Sequence, residues 1–352
     1  MVNAAGHAEL CRLYLVCPAC GDTCYPLDDR LGIDGFLSPQ ATRLVCLAGV
    51  SWSFDKASDH LAEFCGLRVS DSVVRDACHR QAAKMAAWRA KSAGATSGFI
   101  AAPGDWEFQT DGTMANTFGG WREVKIGIFA KRRRGNPATP AEWGERELPR
   151  PSARWAFAAV LECDAFSAGW REAAARLGLT DTSKVSVIAD GAAWIWRAAA
   201  AQFPGYQGLI DIYHACEYLA DVSRAAYGDG TAEAAAWLDG ARGRLLGDGW
   251  YGWCAVAGEL LMTVDTPAVR SAVEATTNYL AGHTEHLGYF KRLARGQSIG
   301  SGMVEGACKQ MIGRRLKQTG ARWTVDRLNR MAELCCVCYS DCWDAYWLAA
   351  AA

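Results

Sequence analysis

Asp111, Asp190 and Glu305 are the residues whose types and settings best suit chemistry. Asp111 closes the run Trp106-Glu-Phe-Gln-Thr-Asp111, which alternates like a strand, and Asp190 closes the short apolar run Lys184-Val-Ser-Val-Ile-Ala-Asp190. Acids at the ends of neighbouring strands stand side by side. Two carboxylates held that close repel, and a divalent cation relieves the repulsion. Magnesium prefers one or two carboxylates per ion and leaves places for phosphate oxygens and water. Glu305 lies near the start of a late helix, where a third carboxylate could close the site. Two such ions can activate an attacking oxygen and stabilise a leaving one in phosphoryl transfer. Asp-Gly is also a common turn pair, so Asp111-Gly112 or Asp190-Gly191 alone would read as a turn. That reading explains less well why both follow strands.

Other residues could assist or bind. Asp211-x-x-His214 follows a further strand candidate and adjoins the acids, although a lone histidine is usually structural. Ser298-Ile-Gly-Ser-Gly302 precedes the Glu305 helix, and N–H groups at a helix start attract phosphate. It lacks a Gly-Lys-Ser/Thr ending and is no ATP-binding loop. Lys309, Arg314, Arg315, Lys317 and Arg322 form a basic row suited to DNA phosphates. Trp323 could stack on a base or a sugar, although a buried tryptophan is the commoner case. Cys17-Pro-Ala-Cys20 has the spacing of a zinc knuckle, with Cys11 and Cys24 as further candidate ligands. One pair is weak evidence, because a structural zinc site normally has two. Cys335, Cys338 and Cys342 share a helix face, where plain packing is favoured over a metal.

The elements that must position these residues follow from pattern. Residues 1–35 are Cys-rich and turn-rich, a partial zinc-ribbon-like segment. Residues 38–92 read as helices, and Gly66 with Ser70 gives the shape of a helix-turn-helix. Residues 93–104 (SAGATSGFIAAP) are loop-like and suit a domain boundary. Strand patterns follow at 106–111, 122–131 and 154–162, with a polar, proline-bearing loop at 132–151. Then come a helix (166–177), a strand (184–190), a helix (191–203), a strand (207–213) and a helix (214–227). This order predicts an α/β fold, a mixed sheet with helices on both faces, and fits the RNase H-like fold. The core would run over 105–217, and an all-α segment over 218–295 would interrupt it. Residues 296–348 would carry the Glu305 helix, expected at 303–318, and a basic helical region.

Composition sets the frame. The chain has 352 residues, 51% hydrophobic and 21% charged, with 15 cysteines and a formal net charge of -1. It can bury a core and is not disordered. No apolar run reaches the ~18 residues that cross a bilayer. The start lacks a signal-peptide pattern, so a cytoplasmic protein with reduced cysteines and no membrane partner is expected. Charge is uneven: ten Lys or Arg lie between Lys291 and Arg330 against two acids, and eleven acids between Asp211 and Glu285 against four Arg. A basic block beside an acidic one suggests a polyanion partner for one part only.

Several motifs together carry a family resemblance. Gly300-Ser-Gly-Met-Val-Glu-Gly-Ala-Cys-Lys309, followed by Arg314-Arg-Leu-Lys317, Gly320 and Trp323, resembles the last motif of bacterial insertion-sequence transposases of the ISKra-type group. Asp111-Gly-Thr113 and Val187-Ile-Ala-Asp190-Gly191 look like that group's first two acidic motifs. Asp211-x-x-His214 looks like a signature shared with Mutator-like transposases. The resemblance covers nearly the whole chain and implies a DDE enzyme of a mobile element. It implies Asp111, Asp190 and Glu305 as ligands of two Mg2+ ions, and DNA recombination by end cleavage and strand transfer. It implies double-stranded DNA (element ends and target) as partner, a homodimer in the active complex, a nucleoid-associated location, and a helping role for His214. The zinc ribbon is halved relative to the family, and the C-terminal cysteines depart from it. A DNA-binding regulator or inactive relic derived from a transposase, and a nuclease without strand transfer, are the competing expectations.

Overall fold

A computed structural model describes residues 1–33 and 35–350. The first part is small. Strands β1 (Val2–Asn3) and β2 (Gly6–His7) form one hairpin, and β3 (Leu15–Val16) and β4 (Thr23–Cys24) another. Cys17 to Cys20 fills the turn of the second, where the Cys17 N–H donates to the Asp22 carbonyl at 2.7 Å.

The main sheet has five strands: β5 (Asp105–Thr117), β6 (Gly120–Arg132), β7 (Ala153–Ala159), β8 (Val185–Ala189) and β9 (Gln207–Ile210), in the order β7-β6-β5-β8-β9. The first three run antiparallel, while β8 pairs parallel with both β5 and β9. Every residue of β8 is buried, as a parallel strand covered on both faces requires. On one face Phe108 packs against Phe129 and Trp170, with ring centroids 4.6 and 4.7 Å away, and Phe203 joins at 5.5 Å. The helix Val325–Tyr339 packs against β7 and against the helix Asp71–Lys91. Arg89 fastens that second contact. It donates to Glu333 at 2.9 Å and to the Ala156 carbonyl at 2.7 Å, and lies over the Trp155 ring. Breaking a pair this buried costs about 3–5 kcal/mol. The architecture is therefore α/β with a mixed sheet flanked by helices.

The N-terminal helices are Pro39–Ser51, Phe54–Cys65 and Asp71–Lys91. Gly66 turns the chain at φ 63°, and the Ser70 hydroxyl accepts the Val73 N–H, the roles expected of them. Between β9 and Glu305 only helical elements occur: Ile212–Tyr227, Ala232–Thr263, Pro267–Ala281, Tyr289–Leu293 and a 3₁₀ turn, Thr284–His286. Among the described residues, no helix is long and apolar enough to cross a membrane.

Several expectations need correction, three of them here. Residues 93–104 are not a loop, because Gly94–Ala101 is a helix. Burial of Ala95 and Phe99, the latter against Trp106 at 5.2 Å, outweighs the weak propensity of that small-residue run. Asp111 does not end its strand. β5 loses β8 as a neighbour after Gln109, but β6 continues to pair with it as far as Thr117. The helix expected over 303–318 is broken into Gly302–Ala307, a π-helical turn (Cys308–Gly313) and Arg314–Leu316.

Candidate metal and nucleic-acid site

The parallel pairing of β5 with β8 decides where the two aspartates stand. Gln109 lies opposite Ile188, the last pair of that ladder. Asp111 and Asp190 each follow two residues later, at the same end of adjacent strands. Neither Asp-Gly pair is a simple turn. Gly112 remains in the ladder opposite Lys125, and a Cβ there would lie 2.2 Å from Glu123. A Cβ on Gly191 would lie 2.3 Å from the Tyr279 ring. Neither glycine has a left-handed backbone; Gly191 is needed for close approach to the Tyr279 ring, whereas the flexible Glu123 carboxylate could move aside at Gly112.

Asp111 and Asp190 are half-buried and feel each other. Burial raises the Asp111 carboxyl above its usual range, and the Asp190 charge adds to this. The Gly112 N–H, 2.6 Å from Asp111 Oδ1, and the positive field of His214 oppose the shift. Asp190 Oδ1 accepts the Ala192 N–H at 2.9 Å, while its own carbonyl accepts the Trp196 indole N–H. The Cys308 thiol points at Asp111 Oδ2 from 3.8 Å. Burial and the Asp111 charge push that thiol up to about 12, so it stays protonated and donates.

Glu305 stands on its helix beside Asp211 and His214. Burial raises its carboxyl, and Asp211 adds to this, while His214 and Lys309 pull it down. Asp211 fixes the start of that helix. It is fully buried, and its Oδ2 accepts both the N–H (2.9 Å) and the hydroxyl of Ser301. Its Oδ1 accepts the Tyr213 N–H at 2.7 Å, capping the helix Ile212–Tyr227. That cap is why the strand expected to reach Tyr213 stops at Ile210. Gln109 does parallel work: its amide donates to the Gly300 carbonyl at 3.3 Å and its Oε1 accepts the Val304 N–H at 3.1 Å. A strand residue two positions before Asp111 thus holds the backbone beside Glu305.

His214 is half-exposed, with Nδ1 3.4 Å from Glu217. Burial lowers its pKa, but Asp211, Glu217 and Asp190 together outweigh this and hold it above the ordinary value. Ligand atoms of Asp211, His214 and Glu305 lie within 4.8 Å of one another, a set able to hold a metal ion. It is the only such group of three or more among the described residues. Asp211 is the weak member, because three hydrogen bonds already use both of its oxygens. It acts as a positioning group; Asp111 and Asp190 do not belong to this group.

The basic row divides. Lys309, Arg314, Lys317 and Arg322 are exposed. Lys317 docks on Thr113 of β5, and Arg322 lies 5.9 Å from the Phe118 ring centroid. Arg315 is a correction to the sequence reading, and Trp323 takes the commoner, buried alternative rather than the stacking one. Arg315 is 2% exposed, donates to the Gly49 carbonyl and lies over Phe54. Trp323 is 8% exposed and donates its indole N–H to the Leu316 carbonyl at 3.0 Å. Neither belongs to an exposed basic row. The break at the π-helical turn has the same consequence for the row as a whole: it does not run along one straight helix.

The cysteines fall into two classes. Cys11, Cys20 and Cys24 are exposed and Cys17 is half-buried, all four free. N–H groups of Cys20 and Ala19 and the Cys20 side chain lower the Cys17 pKa. Cys17 and Cys20 thus meet as a pair, but Cys11 and Cys24 do not join them in a group of three. Cys335, Cys336 and Cys342 are buried, and burial pushes Cys335 up to about 12 and Cys342 to about 11. They pack as neutral thiols.

Sequence reasoning missed Gln109, Ser301, Tyr279 and Cys308. Gln109 had a visible signal, a polar residue beside Phe108 and Thr110 in a strand otherwise destined for burial. The other three become meaningful only once the chain brings them to the acids. No protein-family model matches the chain, and no curated protein matches it.

Proposed function

We propose that the chain is a DDE-type DNA transposase with an RNase H-like core, cutting DNA at the ends of an insertion sequence and joining the freed 3′-hydroxyl to target DNA. The observation that supports this reading is the parallel β5–β8 pairing, which brings Asp111 and Asp190 to the same end of adjacent strands, while His214 acts on both Asp111 and Glu305. Asp111 and Glu305, both raised chiefly by burial, are carboxyls that a hard divalent cation would relieve. Asp111, Asp190 and Glu305 would hold magnesium, which when bound activates the attacking oxygen and stabilises the leaving one. The chain's own residues do the rest. Asp211 and Gln109 fix the backbone that carries Glu305. His214 places positive charge beside Asp111 and Glu305. Lys309, Arg314, Lys317 and Arg322 line an approach for phosphates and would make binding fall steeply with salt.

The test is a strand-transfer assay with pre-nicked DNA taken from the flanks of the chain's own reading frame. Joining to plasmid is expected with Mg2+, and none with Glu305→Gln. Nicking without joining would favour a nuclease. Wild-type protein that binds the DNA yet neither nicks nor joins it would leave a regulator or relic.

A further inference from the structure

Three long helices begin at one place, remote from the carboxylates. Ser53, Asp71 and Thr324, at the starts of Phe54–Cys65, Asp71–Lys91 and Val325–Tyr339, line one cavity of 360 Å³. Helix starts carry partial positive charge. Two buried side chains of the same lining have nitrogens without partners. His79 is 7% exposed, and neither ring nitrogen is hydrogen-bonded. Arg315, although its Nε is used, leaves Nη2 unpaired. A buried polar group left unpaired is costly, and a charged one more so. Asp55 and Asp71 stand exposed at the rim beside Arg322 and Arg327, while Arg75 is tied to Asp76 at 2.8 Å. The lining carries four arginines against two aspartates. Exposed Phe118 adds an aromatic edge.

We propose that this cavity is a phosphate-binding site that holds one phosphate of a nucleic-acid strand, separate from the carboxylate cleft. The nucleic-acid source rests on the function proposed above, whereas the anion site itself does not. Phe118 lies seven residues beyond Asp111, roughly 20 Å at the rise of a strand. That is about six base pairs of duplex, and Lys317 docks on Thr113 between the two. Burial, then Arg327 and Arg330, hold the His79 ring near 4, so it enters neutral and can donate one N–H; Asp76 opposes that shift and Arg75 adds to it.

Ring NMR of His79 in the full chain, with His79→Gln used to identify the signal, tests both parts. Inorganic phosphate is expected to move the signal saturably and to raise its titration midpoint. A short DNA duplex is expected to give the same displacement at lower concentration. Arg327→Gln should weaken both at least about tenfold, the loss of one charge-assisted hydrogen bond. A folded chain whose His79 signal ignores phosphate overturns the site. A signal that answers phosphate but not a duplex bound elsewhere on the chain overturns the nucleic-acid source. If no duplex binds at all, the transposase reading fails with it, while the phosphate titration still reports on the cavity.

Discussion

The carboxylate cleft and the Cys17–Cys20 hairpin both offer metal-ligand residues, yet they are built differently. In the cleft each acid has a support. Asp111 rests in a paired strand, Asp190 on the Ala192 N–H, and Glu305 on a helix start fixed by buried Asp211 and Gln109. The hairpin has two-residue strands, exposed Leu13, Tyr14 and Val16, and cysteines held chiefly by local backbone. Ligand-type residues are common, whereas buried groups that fix them in place mark a site that must keep its geometry.

Several measurements would break or sharpen that contrast. The largest effect is expected from Asp190→Asn. It should lower Mg2+-dependent DNA cleavage about a thousandfold, as loss of several kcal/mol of charge stabilisation implies. Its melting temperature should hold or rise, because a repulsion is removed. Cleavage near the wild-type rate would remove Asp190 from the site. Next is Asp211→Ala, which strands the N–H groups of Ser301 and Tyr213 and the Ser301 hydroxyl. Urea unfolding should show a loss of about 3 kcal/mol; a loss under 1 kcal/mol would mean that Asp211 is no support.

Magnesium should raise the melting temperature, by about 1.4 kcal/mol of stability at ten times its dissociation constant. That gain should shrink as pH falls through the raised carboxyl range of Asp111 and Glu305, since both must lose protons to bind. A gain independent of pH would argue against them as ligands. Without metal, His79 and His286 set a separate trend. Burial lowers both to about 4 from 6.5, so the unfolded chain takes up their protons first. Stability is therefore lost as pH falls from 6.5 toward 4, and His79→Gln should flatten that slope. The raised groups, His214, Asp111 and Glu305, act with the opposite sign. Smallest of all, Cys17→Ser should change metal-free stability by no more than about 0.5 kcal/mol. A larger loss, or melting that responds to a zinc chelator, would give the hairpin a structural role.

Much of this was legible in the residues. The five strands and their helices follow from alternation and apolar runs, and Gly66 and Ser70 act at the turn where their types put them. Asp111 and Asp190 could be singled out as acids following strand-like runs, and Glu305 as an acid near the start of a late helix. Burial by distant segments could not be read. Arg315 looks like a surface group in a basic stretch, and only the helices Pro39–Ser51 and Phe54–Cys65 reveal its partners Gly49 and Phe54. Gly94–Ala101 looked like a loop because propensity is a weak guide where packing decides.

The π-helical turn at Cys308–Gly313 acts as a phase keeper. An α-helix rotates by about 100° per residue, and a π turn accommodates one residue more than the α pattern. Removing one residue from it would restore the α pitch and leave Arg314 and Lys317 at nearly the same angle about the axis, whereas a deletion in Gly302–Ala307 would rotate them by about 100°. The turn thus absorbs one residue of length without changing where the cations beyond it face.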